Sequence, residues 1–154
     1  MVLRGLIRRF REAFDWEGVE RMPYKEEGAA PFKSISRQVL FNDPNLKCEL
    51  RYFEMAPGGY STLERHEHVH GVMILRGRGR CLLGDEVRPV ASHDLVTIPP
   101  LTWHQFRADE AEPLGFLCMV NVERDKPRLP SEAELAALRR RPEVAAFLDG
   151  RAGA

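Results

Sequence analysis

Over the first fourteen residues Leu3, Leu6, Ile7, Phe10 and Phe14 recur at helical spacing, and Arg4, Arg8, Arg9 and Arg11 fill the other side. That pattern predicts a short amphipathic helix with a basic, solvated face. Gly18, Pro23, Gly28 and Pro31 then interrupt any regular period, so residues 16–32 read as an extended or looped arm. From Ile35 the period shortens to two. Residues 36–41 form a first strand, closed by the turn Asn42-Asp43-Pro44-Asn45. Residues 46–55 alternate, with Cys48, Leu50, Tyr52 and Glu54 on one face and Lys47, Glu49, Arg51 and Phe53 on the other. A break is expected at Pro57-Gly58-Gly59, and another at Gly77-Arg78-Gly79 after the apolar run 72–75. Residues 81–83 and 86–87 suit a hairpin across Gly84-Asp85, and 94–98, 103–108 and 114–121 add three more strands. After Pro127 and Pro130, Ser131 and Glu134 form a capping box for a terminal helix carrying Leu135, Leu138, Val144 and Phe147. The chain is predicted to be all-β, a sandwich or barrel with short helices at both ends.

Composition narrows the class. The 154 residues suit one domain, divided as an N-terminal helix and arm (1–34), a β-barrel (35–126) and a helical tail (127–154). Lys+Arg and Asp+Glu both number 23, so no excess charge favours nucleic acid or an anionic membrane. Cys48, Cys81 and Cys118 are odd in number, far apart and set among apolar residues, which reads as buried thiols in a reducing compartment. No apolar run is long enough to span a bilayer, so a cytoplasmic protein is expected.

The chemistry concentrates in one stretch. Glu64, His66, His68 and His70 fall on alternate positions, which an extended strand would present on a single face. Imidazoles and a carboxylate crowded in this way suit a divalent metal, and His104, in the run 99–104, is a further candidate ligand.

These residues resemble the cupins, a superfamily of small jelly-roll β-barrels. Gly58-x5-Glu64-x-His66-x3-His70-x6-Gly77 fits the spacing of the first cupin motif, with Glu64 where a His is expected and His70 where the Glu is expected. The second motif is kept in spacing as His93-x5-Pro99-x-Leu101-x2-His104-x3-Ala108, with His93, Leu101 and Ala108 replacing Gly, Gly and Asn. The resemblance covers roughly residues 46–121. It implies a cupin barrel and a metal held by Glu64, His66, His70 and His104, with His68 beside the ligands. A second register puts His66 and His68 at the two His positions, but it places Val72 at the acid position, so the first is preferred.

Three imidazoles and one carboxylate suit Fe, Mn, Ni or Zn as the divalent ion and leave open positions for a small-molecule substrate. Proton competition should weaken such a site near pH ~6.5. The resemblance implies a metal-dependent dioxygenase or related enzyme of the quercetin-dioxygenase-like kind, or alternatively a non-catalytic cupin that binds a metal or small ligand. Tyr52, Met73, Phe106 and Phe116 are candidate pocket walls, and Arg51 and Gln105 are conceivable substrate anchors. His93 reads as a surface turn residue. Cupin barrels commonly pair, and the apolar segment 16–41 is long enough to exchange between subunits, so a homodimer is expected, with no nucleic-acid or membrane partner.

Overall fold

The structure, a computed structural model, describes residues 5–152. An eight-stranded sheet dominates it. Its members are β3 (Met22–Pro23), β4 (Lys33–Asn42), β5 (Cys48–Tyr60), β6 (His70–Leu83), β7 (Glu86–Ala91), β8 (Leu95–Ile98), β9 (His104–Ala108) and β10 (Leu114–Asn121). The pairings β5–β10, β10–β6, β6–β9 and β9–β5 return to their starting strand, so the sheet closes into a barrel. Closure removes sheet edges that would otherwise expose unpaired backbone.

The two long strands are longer than their glycines suggested. β5 continues through Pro57-Gly58-Gly59 and β6 through Gly77-Arg78-Gly79, where the sequence pattern predicted breaks. The glycines bend these strands instead of ending them. Gly77 has φ 74°, and a Cβ there would lie 1.7 Å from the Pro113 carbonyl oxygen. Before this point β6 pairs with β10 and beyond it with β9, so Gly77 marks a barrel corner.

The inner side of the barrel holds the main core, which includes Phe53, Met55, Val72, Ile74, Phe106 and Phe116. A second cluster joins Leu82 to Leu138, Val144 and Phe147 of the tail. There α1 (Glu132–Leu138) begins on the expected capping box, with Ser131 Oγ accepting from the Glu134 amide. Pro142 opens a second short helix, α2 (Pro142–Leu148), because a proline fits the first turn of a helix and not its interior.

The N-terminal helix does not form among the described residues, and Leu3 and Arg4 lie outside them. Two short strands, β1 (Phe10–Arg11) and β2 (Asp15–Trp16), flank a 3-10 turn at Glu12–Phe14. Ala13 and Phe14 take φ of 61° and 56°, which no α-helix accommodates. Aromatic packing outweighs the helical period here. The Phe14 ring stacks on Tyr52 at 5.6 Å and Trp16 meets Tyr52 edge-on at 5.2 Å, closing the outer face of β5.

Candidate metal centre

Residues 61–69 run as an irregular segment between β5 and β6, not as the strand the alternation predicted. Three backbone contacts shape it. Glu64 and His104 exchange N–H···O bonds (3.2 and 3.0 Å), Arg65 and Arg128 do the same, and the Leu101 amide donates to the His66 carbonyl at 2.7 Å. These bonds tie the segment to the start of β9, to the run that precedes it and to the chain beyond β10, and they bring His104 to the other histidines.

The ligand atoms of His66, His70 and His104 all lie within 4.8 Å of one another. The His66 and His70 rings are nearly parallel at 4.5 Å, and His104 meets His66 at 68°. Backbone carbonyls fix two of the rings: His66 Nδ1 is 2.8 Å from the His68 carbonyl oxygen and His104 Nδ1 is 2.9 Å from that of Thr102. In each, Nδ1–H donates and Nε2 keeps its lone pair. The buried Nε2 atoms of His66 and His70 have no hydrogen-bond partner. A buried polar atom without a partner is costly, and a divalent cation bound by both neutral rings would relieve the cost at both atoms at once. The three residues therefore fit a metal.

The electrostatics agree. Burial, followed by the neighbouring imidazoles, lowers His66 from its usual 6.5 to about 4, and His70 lower still. Burial likewise takes His104 to about 4. All three rings are neutral near pH 7, as metal ligands must be.

Glu64 and His68 sit beside this cluster. The Glu64 carboxylate is buried, lines the same cavity and pairs with the Lys25 ammonium from the arm. His68 stacks on His66 at 3.6 Å, and its Nδ1 lies 2.7 Å from Asp125. Asp125 also accepts from the Glu67 and His68 amides, and these bonds hold its carboxyl well below the usual range. His93 lies on an exposed turn with φ 77°.

Phe53, Phe106 and Phe116 form an apolar wall of the cavity, and Tyr24, Lys25, Arg37, Arg51, Cys118 and Arg124 complete most of the rest. Phe106 and Phe116 thus stand where the sequence placed them. Tyr52 does not, because it faces outward under Phe14 and Trp16, and Met73 is 38% exposed on the opposite side of its strand. Of the two conceivable anchors, Arg51 lines the cavity, while Gln105 donates to the Ser61 carbonyl at 2.7 Å and does not. Lys25, Arg37, Arg124 and Asp125 went unnoticed in the sequence. Each is an ordinary charged residue in a loop or strand, and only the closed barrel shows what it faces.

Comparison with known proteins now decides the family. The cupin domain family matches residues 51–120. A 1-methylthio-D-xylulose 5-phosphate methylsulfurylase from Rhodospirillum rubrum is 63% identical over 147 residues, covering 96% of this chain and 94% of that protein. The chain is a cupin. Two solved cupin structures superpose closely. A cupin 2 conserved barrel domain protein from Rhodopseudomonas palustris has TM-score 0.88 and 56% identity, covering 92% of this chain and 98% of that one. A cupin-2 domain protein from Rhodospirillum rubrum has TM-score 0.86 and 62% identity, covering 96% of this cupin and 99% of that chain.

Proposed function

We propose that this cupin is a metal-dependent enzyme that transfers the methylthio group of a 1-methylthio ketose 5-phosphate to a thiol. The C1–S bond breaks, an S–S bond forms to the thiol sulfur, which is oxidised, and C1 is reduced and takes a proton to become a methyl group. The observation that carries the reading is the 63% identity to the Rhodospirillum rubrum methylsulfurylase, spread over 96% of this chain and 94% of that protein. Identity of that extent includes the barrel, the arm and the tail, and so every element that lines the cavity.

The cavity suits the three parts of such a molecule. The ketose has a carbonyl at C2 next to the C1–S bond, and His66, His70 and His104 would hold a divalent cation, with Glu64 as fourth ligand once Lys25 leaves its carboxylate. Such a cation supplies a Lewis acid that draws electron density toward a carbonyl oxygen and thereby weakens the neighbouring bond. Phe53, Phe106 and Phe116 offer an apolar surface to the methylthio group and keep water from it. Four cations, Lys25, Arg37, Arg51 and Arg124, face the cavity and favour an anionic substrate. His68, held by Asp125, packs against His66 and fixes the plane of that ring. The relative's name speaks of sulfur transfer and not of dioxygen, so this reading is preferred to the dioxygenase one.

The test is direct. Protein reconstituted with Mn, Fe, Ni or Zn is mixed with 1-methylthio-D-xylulose 5-phosphate and a small thiol to accept the methylthio group. Proton NMR should show the S-methyl signal leaving the sugar. His66→Ala and His104→Ala should abolish both this and stoichiometric metal binding, while His68→Ala should weaken binding by about 10–100-fold. An S-methyl signal that stays on the sugar with every metal would overturn the proposal.

A further inference from the structure

We propose that Arg37 and Arg51 form the seat for the substrate's phosphate, with Arg124 and Lys25 adding positive field at its margin. This rests on the sugar-phosphate reading above and names the part of the site that would recognise the ester. Arg51 is only 8% exposed, lines the cavity, and its Nε has no hydrogen-bond partner. Its contacts are weak for a buried guanidinium: Nη2 lies 3.5 Å from Cys118 Sγ, and Nε is 3.7 Å from Glu49. Arg37 extends from the inner face of β4, opposite Phe53 in the sheet register, and also lines the cavity. Its Nε is buried without a partner, and it makes no ion pair among the described residues.

A guanidinium taken out of water demands acceptors for its fixed fork of N–H groups, and a buried charge without them is strongly destabilising. Glu49 is a single carboxylate serving both Arg51 and Arg124, the latter at 3.3 Å. Glu64 is already engaged by Lys25. The four cavity cations are therefore met by two carboxylates, and the deficit falls on Arg37 and Arg51. A phosphate dianion has the charge and the planar pairs of oxygens to fill that deficit bidentately. The seat is also well placed along the molecule. Cys118 Sγ lies between Arg51 at 3.5 Å and His70 Nδ1 at 3.3 Å, so the guanidinium and the histidine cluster stand within reach of one short sugar chain. With the phosphate on the arginines, C1 and C2 point toward the histidines.

Titration calorimetry with D-xylulose 5-phosphate and with inorganic phosphate tests the seat without requiring turnover. Wild-type protein should bind both, with affinity that falls as salt is raised. Arg37→Gln and Arg51→Gln should each weaken the ester by about ten- to a hundredfold, the usual consequence of losing a charged hydrogen bond. Arg51→Lys should retain part of the affinity, because the charge stays while the fork is lost. Metal binding by Arg37→Gln should match wild type, which separates loss of the seat from loss of the fold. Unchanged ester affinity in both Gln variants would overturn the proposal, and so would loss of metal and ester together in Arg37→Gln. Should no methylthio group be released while D-xylulose 5-phosphate still binds through these arginines, the reaction reading falls and the seat stands.

Discussion

At the residue scale, the decisive property of the centre is that its histidines are neutral because they are buried. His66 and His104 fall from 6.5 to about 4 in the fold, with burial as the leading cause. The unfolded chain regains protons near 6.5, so between about 4 and 6.5 the unfolded state holds more of them, and stability rises with pH across that window. The stability of metal-free protein should thus be level above 6.5 and decline as pH falls toward 4. Each pH step of one over which a single imidazole is neutral in the fold and protonated in the unfolded chain removes about 1.4 kcal/mol, so the decline should amount to several kcal/mol. Urea unfolding of metal-free protein at a series of pH values measures it, and an unfolding midpoint that stayed flat across the window would contradict the assignment. This also alters the expectation of proton competition near 6.5. The folded rings resist protonation until about pH 4, so acid first removes stability and only then affinity.

At the scale of elements, the two motif segments work mainly through their turns. Gly58 and Gly77, which open and close the first motif, have φ of 72° and 74°. His93 and Leu101 stand where the second motif has glycines, and they too take positive φ, 77° and 57°. The turn conformation is therefore kept by residues that are strained in it, since left-handed φ costs a non-glycine residue about 1–2 kcal/mol. At Gly77 there is no room for such a substitution, because a Cβ would lie 1.7 Å from the Pro113 carbonyl oxygen. Gly77→Ala should lower the stability to urea by more than about 2 kcal/mol, since strain and a backbone clash combine. A variant as stable as wild type would mean that the corner of β6 does not depend on this close approach.

At the scale of the whole molecule, the outer side of the barrel presents apolar rows with no charged residue among them. Phe41 pairs with Leu50 and Leu50 with Met119; alongside, Leu117 pairs with Met73 and Met73 with Leu95. Phe41, Met119, Met73 and Leu95 are 51%, 53%, 38% and 74% exposed in the single chain. A contiguous surface of this kind favours association, and a two-fold pairing of like faces is the commonest solution. We expect a homodimer through this sheet face, with Met119→Lys producing a monomer by light scattering at micromolar concentration. Wild-type protein that is monomeric under the same conditions would remove the expectation. No helix among the described residues is long and apolar enough to cross a membrane.

The alternation of residues 46–55, the turns at 42–45 and at Gly84-Asp85 and the Ser131–Glu134 capping box were legible in the sequence because each depends on neighbours a few positions away, whereas the breaks expected at Gly58-Gly59 and Gly77 are bends that only the closed barrel explains. The spacing of Glu64, His66, His70 and His104 also pointed to one place in the fold, and the structure gathers the three histidines there. What sequence could not supply is the orientation of side chains whose partners arrive from a distance. Lys25 meets Glu64 across 39 positions and Asp125 meets His68 across 57, so their roles depend on closure of the barrel. Tyr52 and Arg51 are adjacent and both buried, yet one lies under Phe14 and Trp16 and the other lines the cavity. Local pattern fixes that two successive strand residues face opposite ways; only the tertiary structure decides which way is in, because that depends on which face finds apolar cover.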